Sequence, residues 1–232
     1  CIRDRSSWWG ELLDRAIGMS KMNASAGLSG RDTMSVWSVG YALGIVEVAA
    51  QDETQHEMLL GSGIMDALEY GILHEFTYMG IHSVAAYASG AAVALVGRNE
   101  GGKVLRREAV HAVLDRLHTH FQPEAVGFDA PVKSMMPHVS RVVTMVISDA
   151  NKKNMLQFEP LIDMLLQCLI IDDDNHRKGQ DGADALQEAS AGVLHELSLY
   201  GPGAAALRSH GSAISTLHKL CEVGTKVSKE RG

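Results

Sequence analysis

The sequence predicts an all-α fold built from tandem helical repeats. A shift of 51 residues carries Leu95 to Val146 and then to Leu197, and neighbouring apolar positions repeat in step. Within each unit the apolar residues recur at every third or fourth position, which is the spacing of one face of an α-helix. A fixed period of this size indicates a solenoid, in which each unit buries its apolar face against the next.

The middle helix of each unit repeats most clearly. Its apolar positions in three successive units are Val110, Leu114 and Leu117, then Ile162, Leu166 and Leu169, then Ala213, Leu217 and Leu220. A shift of 46 residues carries Leu114 back to Leu68 in the unit before. The sequence therefore predicts three full repeats with partial ones on either side. We place the units at about 6–50 (partial), 51–96, 97–148, 149–200 and 201–232 (partial).

Helix-breaking and capping residues mark the elements of the first units. An amphipathic helix around Leu13 is followed by a Ser/Gly/Asn-rich loop, and Asp32 can cap a helix that runs to about Ala50. The acidic pair Asp52 and Glu53 follows and begins a short helix, which ends at Gly61 and Gly63. We then expect helices over residues 64–73 and, rich in Ala and Ser, over 81–96.

The later units follow the same order with two inserts. Residues 121–131 carry two prolines and a glycine between the second and third helices. Residues 172–182 are mostly charged or polar and predict a solvated loop. Pro160 falls in the first turn of a middle helix, where its missing N–H costs little. The last unit supplies two helices within 201–223.

The order of a short, a middle and a long Ala-rich helix resembles the armadillo repeat over residues 7–232. The matching middle-helix residues are Gly63, Ile64 and Leu68; Ala109, Val110, Val113 and Leu114; and Leu161, Ile162, Leu165 and Leu166. The matching third-helix ends are Ala94 and Leu95, Val146 and Ile147, and Leu197 to Leu199. The resemblance implies a right-handed α-α superhelix. HEAT-type repeats, which have two helices per unit, are the nearest alternative.

The resemblance also implies a function, because armadillo solenoids bind proteins or extended peptides along a concave surface lined by third helices. Peptide-binding members carry an Asn near the end of each third helix and a Trp one turn earlier. Here the corresponding residues are Val48, Ala94, Met145 and Glu196 for Asn, and Gly44, Gly90, Arg141 and Gly192 for Trp. An importin-like recognition of basic signals is therefore not expected, and binding should depend on side chains.

The candidate groove residues follow from the same register. Tyr41, Tyr87 and His138 lie one further turn back along their third helices, and Tyr and Arg are common in binding hot spots. The predicted groove residues are Tyr87, His138, Arg141, Met145 and Glu196. The sequence thus predicts a non-catalytic interaction module, a scaffold or adaptor that is monomeric or belongs to a larger multidomain chain.

Composition excludes several other classes of function. Lys and Arg total 21 against 28 Asp and Glu, and a net charge of -7 argues against a nucleic-acid backbone as ligand. The longest weakly polar run, residues 84–97, is shorter than a membrane span needs. Cys1, Cys168 and Cys221 show no paired spacing, and we expect the last two to be buried thiols. This usage predicts an intracellular protein, cytoplasmic or nuclear.

Residues 1–5 are not part of the predicted repeats. The sequence begins at Cys1 without a methionine, and residues 1–5 resemble a non-native extension. We expect the chain to be a piece of a longer protein, in which the repeats could also regulate a catalytic domain.

The alternative function is a nucleotide-binding enzyme. Gly97 to Lys103 nearly match a phosphate-binding P-loop, and residues 142–149 could be a strand ending in a metal-binding aspartate. However, Val104 stands where Mg²⁺ requires a hydroxyl group, and the equivalent loops of the next two units carry no phosphate-binding sequence. A loop between repeats explains all three copies.

Two histidine-containing patterns could suggest a metal. His111, Asp115 and His118 share one helix face. Asp172, Asp174 and His176 resemble part of a calcium loop, but Arg177 occupies the position of its obligatory glycine. Solvated helix and loop residues explain both patterns, so we predict no metal, no cofactor and no catalytic residue.

Overall fold

A computed structural model describes residues 11, 13–19, 21, 33–73, 84–96, 105–122, 131–173 and 175–231. The chain divides into two compact units, Cys1–Leu105 (unit 1) and Arg106–Gly232 (unit 2). Within the described ranges the regular elements are all helical and there is no strand, so the all-α prediction is confirmed. Val93 and Val143, where a nucleotide-binding fold would need strands, both lie in helices.

The described residues of unit 1 form four helices, preceded by helical residues at 13–19. They are α1 (Thr33–Ala50), α2 (His56–Gly61), α3 (Ile64–Leu73) and α4 (Val84–Val96), with a 3-10 turn at Glu53–Gln55 between α1 and α2. The predicted bounds of α3 are confirmed, and the predicted third helix is confirmed from Val84 onward. Asp32, the predicted cap of α1, lies outside the described residues.

The connection from α1 to α2 is fixed by side-chain hydrogen bonds. The Oδ1 atom of Asp52 accepts hydrogen bonds from the backbone N and the hydroxyl of Thr54, at 3.0 and 2.7 Å. These bonds hold the pKa of the Asp52 carboxyl below its ordinary value. The buried His56 places its Nε2 atom 2.8 Å from the carbonyl oxygen of Ala50. The acidic turn therefore begins α2, as the sequence predicted.

Helices α1 and α3 both pack against α4, and glycines allow the close approach. A Cβ atom added at Gly71 of α3 would lie 2.9 Å from the Cβ of Ala88. One added at Gly44 of α1 would lie 3.7 Å from the Tyr87 ring, and one at Gly90 would overlap the Glu47 carboxylate. The small residues of the third-helix positions therefore set the spacing between α1 and α4.

Unit 2 contains eight helices among its described residues. They are α5 (Arg107–Thr119), α6 (Val132–Met145), α7 (Asp149–Met155), α8 (Leu161–Gln167), α9 (Ala183–Leu199), α10 (Gly201–Ser209), α11 (Ala213–Val223) and α12 (Lys226–Arg231). Pro160 is the cap residue before α8, close to its predicted place in the first turn.

Helices at equivalent positions of successive predicted repeats contact one another in unit 2. The middle helices form one series, in which α5 contacts α8 and α8 contacts α11. The third helices α6 and α9 also contact each other, and α9 contacts α12, a helix that the sequence did not predict. The predicted apolar positions of the middle helices supply much of the core, since Val110, Leu114 and Leu117 are fully buried.

The insert at residues 172–182 differs from the predicted solvated loop. The side chain of Gln180 accepts a hydrogen bond from the backbone N of Val132 at 3.1 Å, which satisfies an N–H group at the start of α6. Arg177 is buried, and its guanidinium donates to the carbonyl oxygen of His120 at 3.2 Å. The prediction was wrong for these residues because long polar side chains can bury their stems while their polar groups find backbone partners.

We expect Gly203→Ala to destabilise unit 2. A Cβ atom at Gly203 would overlap the carbonyl oxygen of Leu197 and lie 3.0 Å from its carbon, and neither backbone atom can rotate away. Overpacking of this kind costs about 1–3 kcal/mol. The matched control is Gly201→Ala in the same helix, where a Cβ meets nothing within 4 Å. Urea midpoints followed by circular dichroism should fall for the first variant only; equal midpoints would contradict the close α9–α10 packing.

Candidate protein-binding surface

Unit 1 carries an apolar cleft on the third-helix face of α1. Its volume is about 360 Å³, which is in the lower part of the range of pockets that hold small molecules. Its lining residues are Gly40, Tyr41, Gly44, Ile45, Val48 and Tyr87. We call this set the Tyr41 cleft.

The cleft exists because glycines interrupt an otherwise apolar helix face. Gly40 and Gly44 are four residues apart, so they lie on one face of α1 and leave a depression there. A Cβ atom at Gly40 would meet nothing within 4 Å, which shows that the depression is open. Tyr41 and Val48 border it with 67% and 64% of their surface exposed. Exposed apolar side chains grouped around a depression are typical of a surface that another molecule covers.

Tyr87 is the predicted groove residue that belongs to unit 1. It is half-buried in α4, and its ring stands over Gly44 and lines the Tyr41 cleft. The repeat register had also placed Tyr41, Gly44 and Val48 on this face, but the predicted set omitted them. The sequence signal for these residues is a pair of glycines four positions apart, Gly40 and Gly44, with Tyr41 and Val48 beside them.

The other four predicted residues belong to unit 2, and one of them is wrong. Met145 is fully buried and cannot touch a partner. The buried residues of α6 form one stripe along the helix, and Met145 is the last of them: Val132, Met135, Val139, Val142 and Met145. The register failed because Met145 continues this core stripe at intervals of three and four residues. Its flexible side chain fills the core instead.

Glu196 has a structural role that accounts for its position. Its Oε2 atom lies 3.7 Å from the Nζ atom of Lys152, whose side chain is 6% exposed. Asp149 contacts the same ammonium group at 3.1 Å. Lys152 therefore has two carboxylate neighbours, which compensate a charge that would be costly to bury alone. Glu196 is half-buried and is better explained as a neighbour of Lys152 than as a groove contact.

His138 and Arg141 lie on α6, where the ring of His138 contacts the ring of His120. The rings of His120 and His138 have their centroids 5.1 Å apart, with an angle of 48° between their planes. Arg177 stacks over the ring of Phe121, with its guanidinium carbon 5.1 Å from the ring centre. Among the described residues, the Nδ1 atoms of His120 and His138 are buried without a hydrogen-bond partner.

The fold lowers the pKa of both His120 and His138. Burial, followed by the charges of Arg141, His120 and Arg116, lowers the pKa of His138 from 6.5 to about 4. Burial and then the charge of Arg177 lower the pKa of His120. Both causes act in one direction, because burial and nearby positive charges each disfavour a protonated imidazole.

The alternative enzyme hypothesis rests on two segments, and the structure describes only the second of them. The P-loop-like segment from Gly97 to Lys103 lies outside the described residues. The segment 142–149, which that hypothesis needs as a strand, is the end of α6 and the turn into α7. Within the described part of the chain, no group of three or more His, Cys, Asp or Glu side chains could hold a metal.

The residues of the two patterns that could suggest a metal have other contacts. The Nε2 atom of His111 lies 3.0 Å from the carbonyl oxygen of Asn154, and His118 lies 3.3 Å from the amide of Gln122. Asp172 contacts Lys219 at 2.6 Å, and Asp174 is outside the described residues.

The two described cysteines have different environments. Cys168 is buried, as predicted, and burial raises the pKa of its thiol to about 12. Cys221 is exposed, so the prediction that it is buried was wrong. On α11 the buried residues are Ala213 and Leu220, and Cys221 follows Leu220 directly, which turns its side chain about 100° away from the core.

Comparison with known proteins finds no match, since no protein-family model, no curated protein and no solved structure matches the chain. The resemblance to armadillo repeats therefore stays a prediction. Of the helices that the structure describes, none has the length and apolar character needed to cross a membrane.

Proposed function

We propose that the chain is a non-catalytic interaction module, an armadillo-like α-solenoid that binds a partner protein or extended peptide along its third-helix face. In this proposal the module acts as a scaffold or adaptor inside the cell, in the cytoplasm or nucleus. The free thiols of Cys168 and Cys221 support a reducing compartment. The single observation that carries the binding proposal is the Tyr41 cleft.

The helix contacts support the solenoid arrangement. In unit 2, middle helices contact middle helices and third helices contact third helices, and in unit 1 the third-position helices α1 and α4 contact each other. This is the pattern expected when each repeat stacks on the next in the same orientation. A right-handed superhelix is the form that the armadillo resemblance implies for such a stack.

The surface chemistry supports binding of a protein through apolar anchors. The Tyr41 cleft combines an exposed tyrosine, an exposed valine and a depression that can receive a side chain. Tyrosine is common in binding hot spots because its ring offers a large contact area with little conformational freedom to lose. A partner that inserts an apolar or aromatic side chain between Tyr41 and Tyr87 would remove this surface from water.

Selection of peptides from a random displayed library tests the proposal. We expect selected peptides to carry an apolar anchor and to bind Val48→Glu roughly tenfold or more weakly, because the new charge would have to be desolvated. The control is Ile214→Glu, which changes a β-branched residue that is 57% exposed on the middle helix α11. Equal weakening by both variants, or failure to select any peptide, would reject the third-helix face as the binding surface.

A further inference from the structure

Unit 2 contains an open cavity between the middle helices α8 and α11. Its volume is about 390 Å³, which is within the range of sites that hold small molecules. Leu166, Ile170 and Ile171 form its apolar part and are 8%, 5% and 8% exposed. Polar side chains from α8, from the turn after it and from the first two turns of α11 complete the wall. We call this space the α8–α11 cavity.

The preceding pair of middle helices, α5 and α8, has an aromatic ring at the equivalent place. The shift that relates these helices in the repeat register carries His111 to Asp163 and His118 to Ile170. The ring of Phe158 packs edge-on against both histidines, with its centroid 5.6 and 5.9 Å from theirs. Asp163 and Ile170 both line the α8–α11 cavity. The cavity therefore lies where the preceding pair of helices holds a phenyl ring.

The two pairs of helices are built alike at one end. His111 contacts the carbonyl oxygen of Asn154, in the first helix of the next unit, at 3.0 Å. In the same way, the Oδ1 atom of Asp163 lies 3.1 Å from the Nε2 atom of His210, the residue that follows α10. Towards Ile170, however, the described residues leave the α8–α11 cavity open. A space that one repeat fills with its own ring and the next leaves open can accept a ring from another molecule.

The polar wall of the cavity favours a positive charge on that molecule. Two carboxylates, Asp163 and Asp172, and one ammonium group, that of Lys219, give the lining a net charge of -1. The Nζ atom of Lys219 lies 2.6 Å from Asp172, so these two charges compensate each other. Asp163 contacts a histidine, which compensates a carboxylate only when it is protonated. Asp163 is therefore the carboxylate that can accept hydrogen bonds from a ligand's ammonium group.

The backbone beside the cavity is strained. Ile170 has a φ of 50°, a left-handed conformation that a β-branched residue adopts only where its surroundings impose it. Residues held in this way are concentrated at binding and catalytic sites. The strain agrees with the assignment of a ligand site, which rests on the cavity and its lining.

We propose that the α8–α11 cavity binds a small arylalkylammonium molecule. Its aromatic ring lies against Leu166, Ile170 and Ile171, and its ammonium group is bound by Asp163. The ring removes apolar surface from water, and the carboxylate compensates the charge. The site lies on the middle helices of unit 2, so it does not depend on the proposed binding of a partner at the Tyr41 cleft.

Three probes test the ring and the charge separately. Phenethylamine carries both, 3-phenylpropionate replaces the ammonium group with a carboxylate, and n-butylamine lacks the ring. Backbone amide signals are followed by NMR at pH 7.5 as each probe is added. We expect saturable shifts around Ile170 and Thr216 with phenethylamine, and binding roughly tenfold or more weaker with the other two. Equal affinities for the amine and the acid, or no saturable shift at these residues, would overturn the proposal.

Ser215→Trp tests the location of the site. Ser215 is exposed and lines the cavity, so a large side chain there should occupy the space and abolish saturable binding of phenethylamine. The control Ser198→Trp changes an exposed serine of α9 whose hydroxyl, like that of Ser215, donates to the carbonyl three residues earlier. NMR signals outside α8 and α11 show that both variants are folded. Equal binding of phenethylamine by the two variants would refute the location.

Asp163→Asn tests the role of the carboxylate. We expect phenethylamine to bind roughly tenfold more weakly, because a charge-assisted hydrogen bond is lost, whereas 3-phenylpropionate should bind no more weakly than before. The Asp163 side chain is 64% exposed, so the substitution should leave the fold intact. The control Asp181→Asn changes an exposed aspartate outside the cavity lining and should have no effect. An unchanged affinity in Asp163→Asn, or an equal loss in both variants, would contradict the proposal.

Discussion

Leu114→Ala should destabilise unit 2 by about 2–5 kcal/mol, because it removes a fully buried side chain and leaves a cavity. Leu114 lies in the middle of α5, a helix that contacts α6, α7 and α8. Neighbouring side chains from several helices would lose packing partners at once. A loss of this size is a large fraction of the stability of an ordinary domain.

The repeat itself provides the matched control for Leu114→Ala. Leu217 occupies the equivalent position of α11, but it is half-buried and not fully buried. Leu217→Ala should therefore cost clearly less, since less apolar surface returns to water. Urea unfolding followed by circular dichroism measures both variants. Equal costs for the two would contradict the burial that the structure assigns to them.

Acid should destabilise unit 2 through His138. The fold lowers the pKa of His138 from 6.5 to about 4, so between these values the unfolded chain binds a proton that the folded chain does not. The stability contribution of neutral His138 is complete above pH 6.5 and is lost as the pH falls from 6.5 towards 4. The loss is on the order of 3 kcal/mol. His120 adds to it in the same direction.

The acid prediction is checked by measuring the free energy of unfolding between pH 7.5 and pH 4 at constant ionic strength. His138→Gln removes the titrating group, so its stability should fall less steeply over this range than that of the unaltered protein. The control is His218→Gln, because the His218 side chain is 79% exposed and the variant should keep the full slope. A slope unchanged by His138→Gln would show that the carboxylates alone cause acid unfolding.

Most of the helical order could be predicted from the sequence, for physical reasons. Breaks in helices are local, so Asp52, Gly63 and Pro160 marked the starts of α2, α3 and α8 without any knowledge of their surroundings. Gly63 has a φ of 73°, a left-handed conformation that glycine adopts at little cost. The middle-helix core positions followed from spacing alone, because one face of each helix must be buried.

The surface residues could not be predicted with the same success. Whether Met145 and Cys221 face the core depends on how far each helix turns relative to its neighbours, and a register drawn between repeats of unequal length does not specify this rotation. The burial of Arg177 depends on Phe121 and His120, which lie more than 50 residues away in the sequence. Local sequence patterns do not record such distant contacts.

We propose that a partner binds on the third-helix face at the Tyr41 cleft. NMR chemical-shift mapping with a peptide selected from the displayed library tests this binding site most directly, because it locates the contact without any mutation. We expect the largest changes at Tyr41, Val48 and Tyr87. Changes centred on the middle helices α3, α5, α8 and α11, with none at these three residues, would contradict it.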